Sequence, residues 1–248
     1  MTISKKIVVV TGAGRGLGAA FALSLAPLGC TLILCGRREA DLLTVADAVI
    51  ENGGNVAKTV QLDLADAGSV RAAVAEIAAS TRHVDVLINN GAMWLEASQE
   101  PYAEADVLNV VNAAVTGTFL LLQGLKQLMA ASDSPDVLTI GSISGLPNAA
   151  MQSVSVPFYA AKRGQVALAE GLRQEFMGGK FRSILINPPY LDDAMPGSKE
   201  WADAGSRDKG ERGTTRDVVE AAIFALTRPR HISMTIELGA DDGGLFSR

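Results

Sequence analysis

Short apolar runs alternate with segments of helical periodicity along the whole 248-residue chain. Most of the runs are apolar nearly throughout, which is typical of strands in a parallel sheet covered on both faces. The predicted strands are Ile7–Val10, Thr31–Cys35, Val56–Leu62, Val84–Ile88, Val137–Ile140, Arg182–Ile186 and Ile232–Leu238. The predicted helices are Leu17–Leu28, Glu39–Glu51, Ser69–Ser80, Ala103–Ala131, Tyr159–Phe176 and Thr215–Leu226. This alternation predicts an α/β Rossmann fold, a doubly wound seven-stranded parallel sheet with helices on both faces.

The stretch from residue 191 to residue 213 breaks the alternation, since it is rich in charged residues and glycines. A polar segment of this length inside a compact domain is either a lid or a solvated surface loop. No shift in composition marks a second domain. We therefore expect a single domain over residues 1–248, with a substrate lid or an exposed loop at about residues 191–213.

Composition and charge exclude several classes of function. The net charge is −5 and no basic run is present, which argues against nucleic-acid binding. No uninterrupted apolar run reaches the ~18 residues of a membrane span, and no secretory signal is recognisable, so we expect a cytoplasmic protein. His83 and His231 lie at no metal-ligand spacing, which predicts no metal site. Cys30 and Cys35 are expected to be buried apolar residues.

A glycine-rich loop connects the first predicted strand to the first predicted helix. Within seven residues it contains Gly12, Gly14, Gly16 and Gly18, together with Arg15 and Leu17. Glycine allows a tight turn, close approach of the backbone to a pyrophosphate, and close packing of helix against strand. The helix N-terminus also offers unpaired N–H groups to an anion. The loop therefore predicts a dinucleotide-binding site.

Two arginines follow the second predicted strand at the position where an NAD site places an acid. Arg37 and Arg38 precede the first acid, Glu39, and Arg15 of the glycine loop can approach the same place. An acid there accepts hydrogen bonds from the ribose 2′-hydroxyl, whereas arginine binds a 2′-phosphate. The sequence therefore predicts NADP (NADPH) as the cofactor and disfavours NAD.

With these motifs the chain resembles the short-chain dehydrogenase/reductase family over essentially its full length. The loop Thr11–Gly18 is similar to the family's TGxxxGxG, and Asn89–Ala92 is similar to its NNAG with the last two residues exchanged. Gly141–Gly145 resembles the segment that carries the catalytic serine, which places Ser142 in that role. The resemblance implies cofactor contacts from Gly12, Gly14, Arg15, Gly16, Leu17, Gly18, Arg37, Arg38, Asp63, Leu64, Asn90, Gly91, Tyr159, Lys162 and Pro188.

The family's catalytic tyrosine lies four residues before a lysine that lowers its pKa, and this chain departs from that spacing. Tyr159 and Lys162 are three residues apart, and Phe158 is the residue four before the lysine. Either Arg163 replaces the lysine, or Lys162 keeps its place and one residue is missing near the tyrosine. The later helix residues Gly164, Leu168 and Leu172 match the family pattern when counted from Lys162, which favours the second alternative.

Residues three apart on a helix share a face, so Tyr159 can still act with Lys162. We expect Tyr159 to face the nicotinamide with its hydroxyl near Ser142 and Lys162. The alternative is that Phe158 takes this position and the site is inert. Two further departures are Ala114, where the family often has an asparagine, and Asp193, where it has a threonine.

The resemblance implies an NADP(H)-dependent oxidoreductase that interconverts a small alcohol and its ketone or aldehyde, with tyrosine as general acid/base. The alternative is a catalytically weak or inactive NADP-binding protein that acts as a sensor or partner subunit. A homodimer or homotetramer is expected, since the predicted helix Ala103–Ala131 is apolar on more than one face. The expected partners are a small-molecule carbonyl or alcohol substrate and further copies of the chain, with neither nucleic acid nor membrane.

Overall fold

A seven-stranded parallel sheet forms the centre of the molecule, in a computed structural model that describes residues 2–147, 149 and 154–239. The strands are β1 (Ile7–Thr11), β2 (Thr31–Gly36), β3 (Asn55–Gln61), β4 (Val86–Asn89), β5 (Asp136–Ile140), β6 (Arg182–Asn187) and β7 (Met234–Glu237). Their order is β3-β2-β1-β4-β5-β6-β7 and every pairing is parallel. The chain reverses direction across the sheet between β1 and β4, which is where doubly wound folds bind ligands.

Helices cover both faces of the sheet. They are α1 (Gly16–Leu25), α2 (Glu39–Glu51), α3 (Ala67–Ser80), α4 (Glu104–Val111), α5 (Thr118–Ala131), α6 (Val156–Glu175), α7 (Lys199–Asp203) and α8 (Thr215–Thr227). Side chains from α1, α2 and α8 pack on one face, and those from α3, α5 and α6 pack on the other. The predicted fold class and the single domain are therefore confirmed. Cys30 and Cys35 are buried and unpaired, as expected.

The predicted helix Ala103–Ala131 is divided into α4, a π-helical turn over Asn112–Gly117, and α5. The Thr118 hydroxyl donates to the Ala113 carbonyl, five residues back, at 3.0 Å. At Gly117 the helix passes so close to the loop after β3 that a methyl group would lie 1.8 Å from the Leu64 carbonyl oxygen. A π turn accommodates extra residues within a helix, and here it brings Gly117 against that loop.

Among the described residues, Glu104–Ala131 is the one helix long and apolar enough to span a bilayer by length and composition. Leu121, Leu125 and Met129 of this helix are buried in the core beside the sheet. Its apolar character therefore matches a helix that packs within an α/β domain.

The segment 191–213 contains more regular structure than the sequence predicts. It includes α7 and a 3-10 turn at Ala204–Ser206. The Asp192 N–H donates to the Gly213 carbonyl at 3.0 Å, and the Arg207 guanidinium donates to the Asp192 carboxylate at 2.8 Å. These bonds close the base of the segment against the body of the protein, and a lid function there stays a prediction.

Candidate functional site

A cavity of about 840 Å³ opens at the carboxyl ends of β1, β2 and β4. Fifteen of its lining residues belong to the glycine loop, the two arginines and the loops after β3 and β4. The full lining is Gly12, Gly14, Arg15, Gly16, Leu17, Gly18, Gly36, Arg37, Arg38, Asp41, Leu62, Asp63, Leu64, Asn90, Gly91, Ala92, Met93, Ala113 and Asp193. The structure thus brings together every predicted cofactor contact except Tyr159, Lys162 and Pro188.

The glycine loop is shaped by backbone contacts that exclude larger residues. Gly16 has φ +51°, a left-handed conformation that glycine adopts without strain. A methyl group at Gly18 would lie 2.1 Å from the Gly12 carbonyl oxygen. Arg15, the N-cap of α1, makes no side-chain cap, so the first N–H groups of α1 stay available to an anion.

Thr11 ties the glycine loop to the loop after β4, a role that the sequence analysis missed. Its hydroxyl oxygen accepts from the Asn90 N–H at 3.0 Å and from the Gly91 N–H at 2.8 Å. The Asn90 side-chain amide in turn donates to the Thr11 carbonyl at 3.0 Å. Two loops from adjacent strands are therefore held in one geometry, which fixes the width of the cavity at this point.

The arginines at the end of β2 differ in their partners. Arg38 donates through Nε to the Asp41 carboxylate at 2.6 Å, so its charge is already compensated. The guanidinium of Arg37 has no hydrogen-bond partner in the described part of the chain and is exposed at the cavity. Asp41 is an acid in the cavity wall that the sequence analysis did not identify. Its pairing leaves Arg37 as the principal cation beside Arg15.

Asp63 and Leu64 form the wall of the cavity beyond β3. The Asp63 carboxylate accepts from the Ala65 N–H at 2.9 Å, and the Asp63 N–H donates to the Ser69 hydroxyl at 2.9 Å. These local bonds order the turn between β3 and α3. The Leu64 side chain lines the cavity, as the resemblance implies for a cofactor contact.

Lys162 lies deep between α6 and the sheet and is only 6% exposed. Its ammonium donates to Gln165 Oε1 at 2.8 Å and to the Ile140 carbonyl at 3.3 Å. Burial lowers the pKa of Lys162 from 10.5 to about 8. Gln165, which is fully buried, was not identified from the sequence because it occupies a position in the apolar periodicity of α6.

The side chains of the predicted catalytic residues Tyr159 and Ser142 form hydrogen bonds with other groups. The Tyr159 hydroxyl donates to the Ala149 carbonyl at 3.4 Å, and the Ser142 hydroxyl accepts from the Ser144 N–H at 3.1 Å. In the described residues no hydrogen bond joins Tyr159, Ser142 and Lys162 to one another. The expectation that the Tyr159 hydroxyl serves the nicotinamide stays a prediction.

Phe158 belongs to an aromatic cluster at the carboxyl edge of the sheet. It is 6% exposed, and its ring centroid lies 4.8 Å from that of Trp94. Trp94 in turn lies 6.4 Å from Tyr190, in an edge-to-face arrangement, and both are about half exposed. The Arg212 guanidinium stacks over the Tyr190 ring at 4.8 Å. This cluster adjoins the cavity through Met93, which lines the cavity and packs against the same group of residues.

Loop residues that follow the carboxyl ends of the later strands differ in whether they line the cavity. Met195 and Trp201 pack against the core on the side of α1 and α8. Pro188 accepts the Ile143 N–H at 3.0 Å and does not line the cavity. Asp193 lines the cavity opposite Gly16, with a carboxylate oxygen 3.6 Å from the place that a methyl group on Gly16 would take.

Comparison with known proteins gives a family and a set of relatives. The family described as short chain dehydrogenase matches residues 6–203. An uncharacterized oxidoreductase of Staphylococcus saprophyticus is 28% identical over 235 residues, which cover 94% of this chain and 95% of the relative.

Two solved structures share the fold. A 3-oxoacyl (acyl-carrier-protein) reductase of Agrobacterium tumefaciens with NADP bound has a TM-score of 0.79 at 24% identity, covering 96% of this chain and 94% of that one. A gluconate 5-dehydrogenase of Burkholderia cenocepacia in complex with NADP and tartrate has a TM-score of 0.80 at 22% identity, covering 100% and 98%.

Proposed function

Since the chain belongs to the short-chain dehydrogenase family, we propose that it is an NADP(H)-dependent oxidoreductase that interconverts a small alcohol and its ketone or aldehyde. The observation that carries this proposal is the cavity itself. The glycine loop at the N-terminus of α1 and the exposed Arg37 guanidinium at the end of β2 line the same cavity. The N–H groups at the start of α1 can bind the diphosphate of a dinucleotide. The guanidinium can bind a 2′-phosphate.

The choice of NADP over NAD rests on charge. Arg37 is exposed at the cavity, and Asp41, the acid of α2 that lines the same cavity, is bound by Arg38. A dianionic 2′-phosphate therefore meets a guanidinium after β2, at the position where an NAD site places an acid to accept hydrogen bonds from the ribose hydroxyl. The relatives of known structure that bind NADP add support from the same fold.

Lys162, Tyr159 and Ser142 are the candidates for the catalytic end. The bound nicotinamide supplies the chemistry of hydride exchange. The Tyr159 hydroxyl is proposed to donate a proton to the substrate oxygen during reduction and to accept it back during oxidation. The Lys162 ammonium stabilises the phenolate form, and Ser142 donates a hydrogen bond to the same substrate oxygen.

The direct test is oxidation of NADPH, followed at 340 nm, with a panel of small ketones and aldehydes. We expect turnover by the wild-type protein and none above background by Lys162→Met, with Lys58→Met as the control on an exposed lysine. Failure of the wild type to oxidise NADPH with any member of a broad panel, despite tight NADPH binding, would contradict an enzymatic role.

A second function, NADP binding without turnover, is favoured by one specific observation. Phe158 lies four residues before Lys162, stacks against Trp94, and has no group that exchanges a proton. The Tyr159 hydroxyl is meanwhile bonded to the Ala149 carbonyl. If this arrangement persists with NADPH bound, the protein serves as a sensor or a partner subunit.

We also propose that two or four copies assemble through the α4–α5 surface. Leu108, Val111 and Phe119 on this surface are 51%, 37% and 41% exposed. Burial of such side chains is favourable, and a second copy presents the same apolar surface in a two-fold arrangement. Light scattering should give a dimer or tetramer, with Phe119→Asp shifting the mass toward the monomer. A monomeric wild type at micromolar concentration would contradict this.

A further inference from the structure

Polar side chains form a buried layer between the sheet and α6. Side chains two apart on a strand share a face. Leu87 of β4 packs into the core on the side of α6, and Asn89 follows it on the same face. Leu185 of β6 packs against Val166 of α6, and Asn187 follows it likewise. Two asparagines at the carboxyl ends of their strands therefore face the helix that carries Lys162.

The amides in this layer are buried without protein partners. Within the described residues, both side-chain polar atoms of Asn89 and of Asn187, and Nε2 of Gln165, make no hydrogen bond. Asn187 and Gln165 are fully buried, and Asn89 is 2% exposed. An unsatisfied buried amide costs about 1–3 kcal/mol, and most native proteins contain few. Three such amides in one layer should lower the free energy of unfolding relative to apolar side chains of the same size.

Gln165 is the member of the layer that holds Lys162. Its Oε1 accepts the ammonium at 2.8 Å, and the Ile140 carbonyl at the end of β5 accepts it at 3.3 Å. These are the two acceptors of that ammonium in the described part of the chain. A leucine or valine at position 165 would satisfy the apolar pattern of α6 and leave the ammonium with the Ile140 carbonyl alone.

The charged and titratable groups nearby are directed elsewhere. On α6 itself, the Arg163 guanidinium donates to the Gly145 carbonyl and the Tyr159 hydroxyl donates to the Ala149 carbonyl. The strands packed against α6 contribute the uncharged amides of Asn89 and Asn187. Burial lowers the pKa of Lys162, and in the described residues its ammonium donates to two uncharged oxygens, Gln165 Oε1 and the Ile140 carbonyl. Neutral acceptors alone therefore support its charged form.

We infer that Gln165 is a positioning residue for Lys162, whose side-chain oxygen holds the ammonium at the carboxyl end of β5 and keeps it charged. The inference rests on the proposed function only for its effect on turnover. The hydrogen bond and its effect on protonation can be measured without any substrate.

The experiment is an NMR titration of protein labelled with ¹³Cε-lysine, with the Lys162 resonance assigned by its loss in Lys162→Met. In the wild type the resonance should titrate near pH 8. Gln165→Leu keeps the side-chain volume and removes the acceptor, so the midpoint should fall by about one pH unit. Gln165→Glu places a carboxylate at the same distance and should raise the midpoint above that of the wild type. Gln174→Leu, on the exposed part of α6, is the matched control and should leave it unchanged.

The pH dependence of turnover tests the hydrogen bond between Lys162 and Gln165 independently. Because Lys162 is charged only below its pKa, Gln165→Leu should move the alkaline limb of the kcat profile to lower pH by about one unit, with a smaller change in KM. If Gln165 had only a structural role, Gln165→Leu would lower the free energy of unfolding and leave the alkaline limb of the kcat profile at the same pH.

Unchanged Lys162 midpoints in both Gln165→Leu and Gln165→Glu would overturn the inference. If Gln165→Leu fails to fold, the direction of the shift in Gln165→Glu decides alone. If the Lys162 midpoints shift but the wild-type protein turns over no substrate of the panel, the role of Gln165 is supported and the proposed enzymatic function is contradicted. The two proposals can therefore fail separately.

Discussion

The two ends of the cavity are built in different ways. At the phosphate end the glycine loop is shaped by backbone contacts, and the one between Gly18 and the Gly12 carbonyl leaves no room for a side chain. At the catalytic end the contacts depend on where the side chains of Phe158, Tyr159 and Lys162 point from the first turns of one helix. A site made of backbone is fixed by steric exclusion, whereas a site made of side chains changes when one residue of spacing is lost.

The two ends of the cavity also differ in the substitutions that they tolerate. The phosphate end cannot lose a glycine without losing its shape, so nucleotide binding is robust in a chain that keeps the loop. The catalytic end can change by one position and still fold, since Phe158 packs well where it is. Binding and turnover should therefore respond to different substitutions.

The largest expected effect is at the catalytic end. If Tyr159 is the proton donor, Tyr159→Phe should lower kcat by about 10³-fold, because a positioned general acid contributes roughly 10²–10⁴. NADPH affinity should stay within about twofold, since the cavity lining is untouched. Steady-state kinetics and calorimetric titration measure the two quantities.

The matched substitution at the neighbouring position sharpens this test. Phe158→Ala should chiefly lower stability, because it removes a buried ring from the contact with Trp94. A silent Tyr159→Phe together with a gain of activity in Phe158→Tyr would show that position 158, four residues before Lys162, faces the reacting carbonyl.

The next effect concerns the phosphate end. Gly18→Ala forces a methyl group against the Gly12 carbonyl oxygen, so the loop must open and NADPH binding should weaken by about 100-fold or more. Gly171→Ala on α6 is the control, since no atom lies within 4 Å of the added methyl group. Equal NADPH affinity in the Gly18→Ala and wild-type proteins, measured by calorimetry, would show that the loop does not contact the cofactor.

A smaller effect is expected for substitution of Arg37, which lies exposed at the phosphate end of the cavity. Arg37→Glu replaces the available cation by an acid, which repels a 2′-phosphate and accepts hydrogen bonds from a ribose hydroxyl. The ratio of NADH to NADPH affinity should change by about 30-fold or more in favour of NADH, equivalent to ~2 kcal/mol. Arg38→Ala, which removes a guanidinium already bound to Asp41, should change the ratio less. The opposite ranking of the two variants would assign the phosphate contact to Arg38.

The smallest effect is on stability at the catalytic end, and it has a defined dependence on pH. The folded-state pKa of Lys162 is about 8 against an ordinary 10.5, so the unfolded chain binds more protons between these values. The wild type therefore gains stability as pH rises through this window. Lys162→Met removes the buried charge and should raise the free energy of unfolding at pH 7 by about 1–2 kcal/mol, after the loss of two hydrogen bonds.

Urea denaturation of Lys162→Met and wild type at pH 7 and pH 10 checks this. The excess free energy of unfolding of Lys162→Met over the wild type should be smaller at pH 10 than at pH 7. Lys58→Met should show no such dependence on pH. If the excess free energy of unfolding of Lys162→Met instead increased with pH, the folded protein would stabilise the Lys162 ammonium, which would contradict this prediction.

The fold and the phosphate end could be predicted from the sequence because each depends on local patterns. Strands such as Thr31–Gly36 are continuous apolar runs, and helix Glu39–Glu51 shows its period directly. The π turn at Asn112–Gly117 could not be foreseen, since it results from contact between Gly117 and a loop about fifty residues earlier. Arg38–Asp41 and Lys162–Gln165 are both three residues apart, a spacing that permits a contact without requiring it, and Gln165 also occupies an apolar position of its helix, so neither bond was predicted.

Calorimetric titration of the wild-type protein with NADPH and with NADH tests the central claim most directly, because it requires no knowledge of the substrate. The account predicts that NADPH binds more tightly by about 30-fold, the equivalent of one charge-assisted contact to a 2′-phosphate. It also predicts that the two affinities converge at high salt as the contact is screened. Equal affinities at low salt, tighter binding of NADH, or no binding of either nucleotide would contradict it.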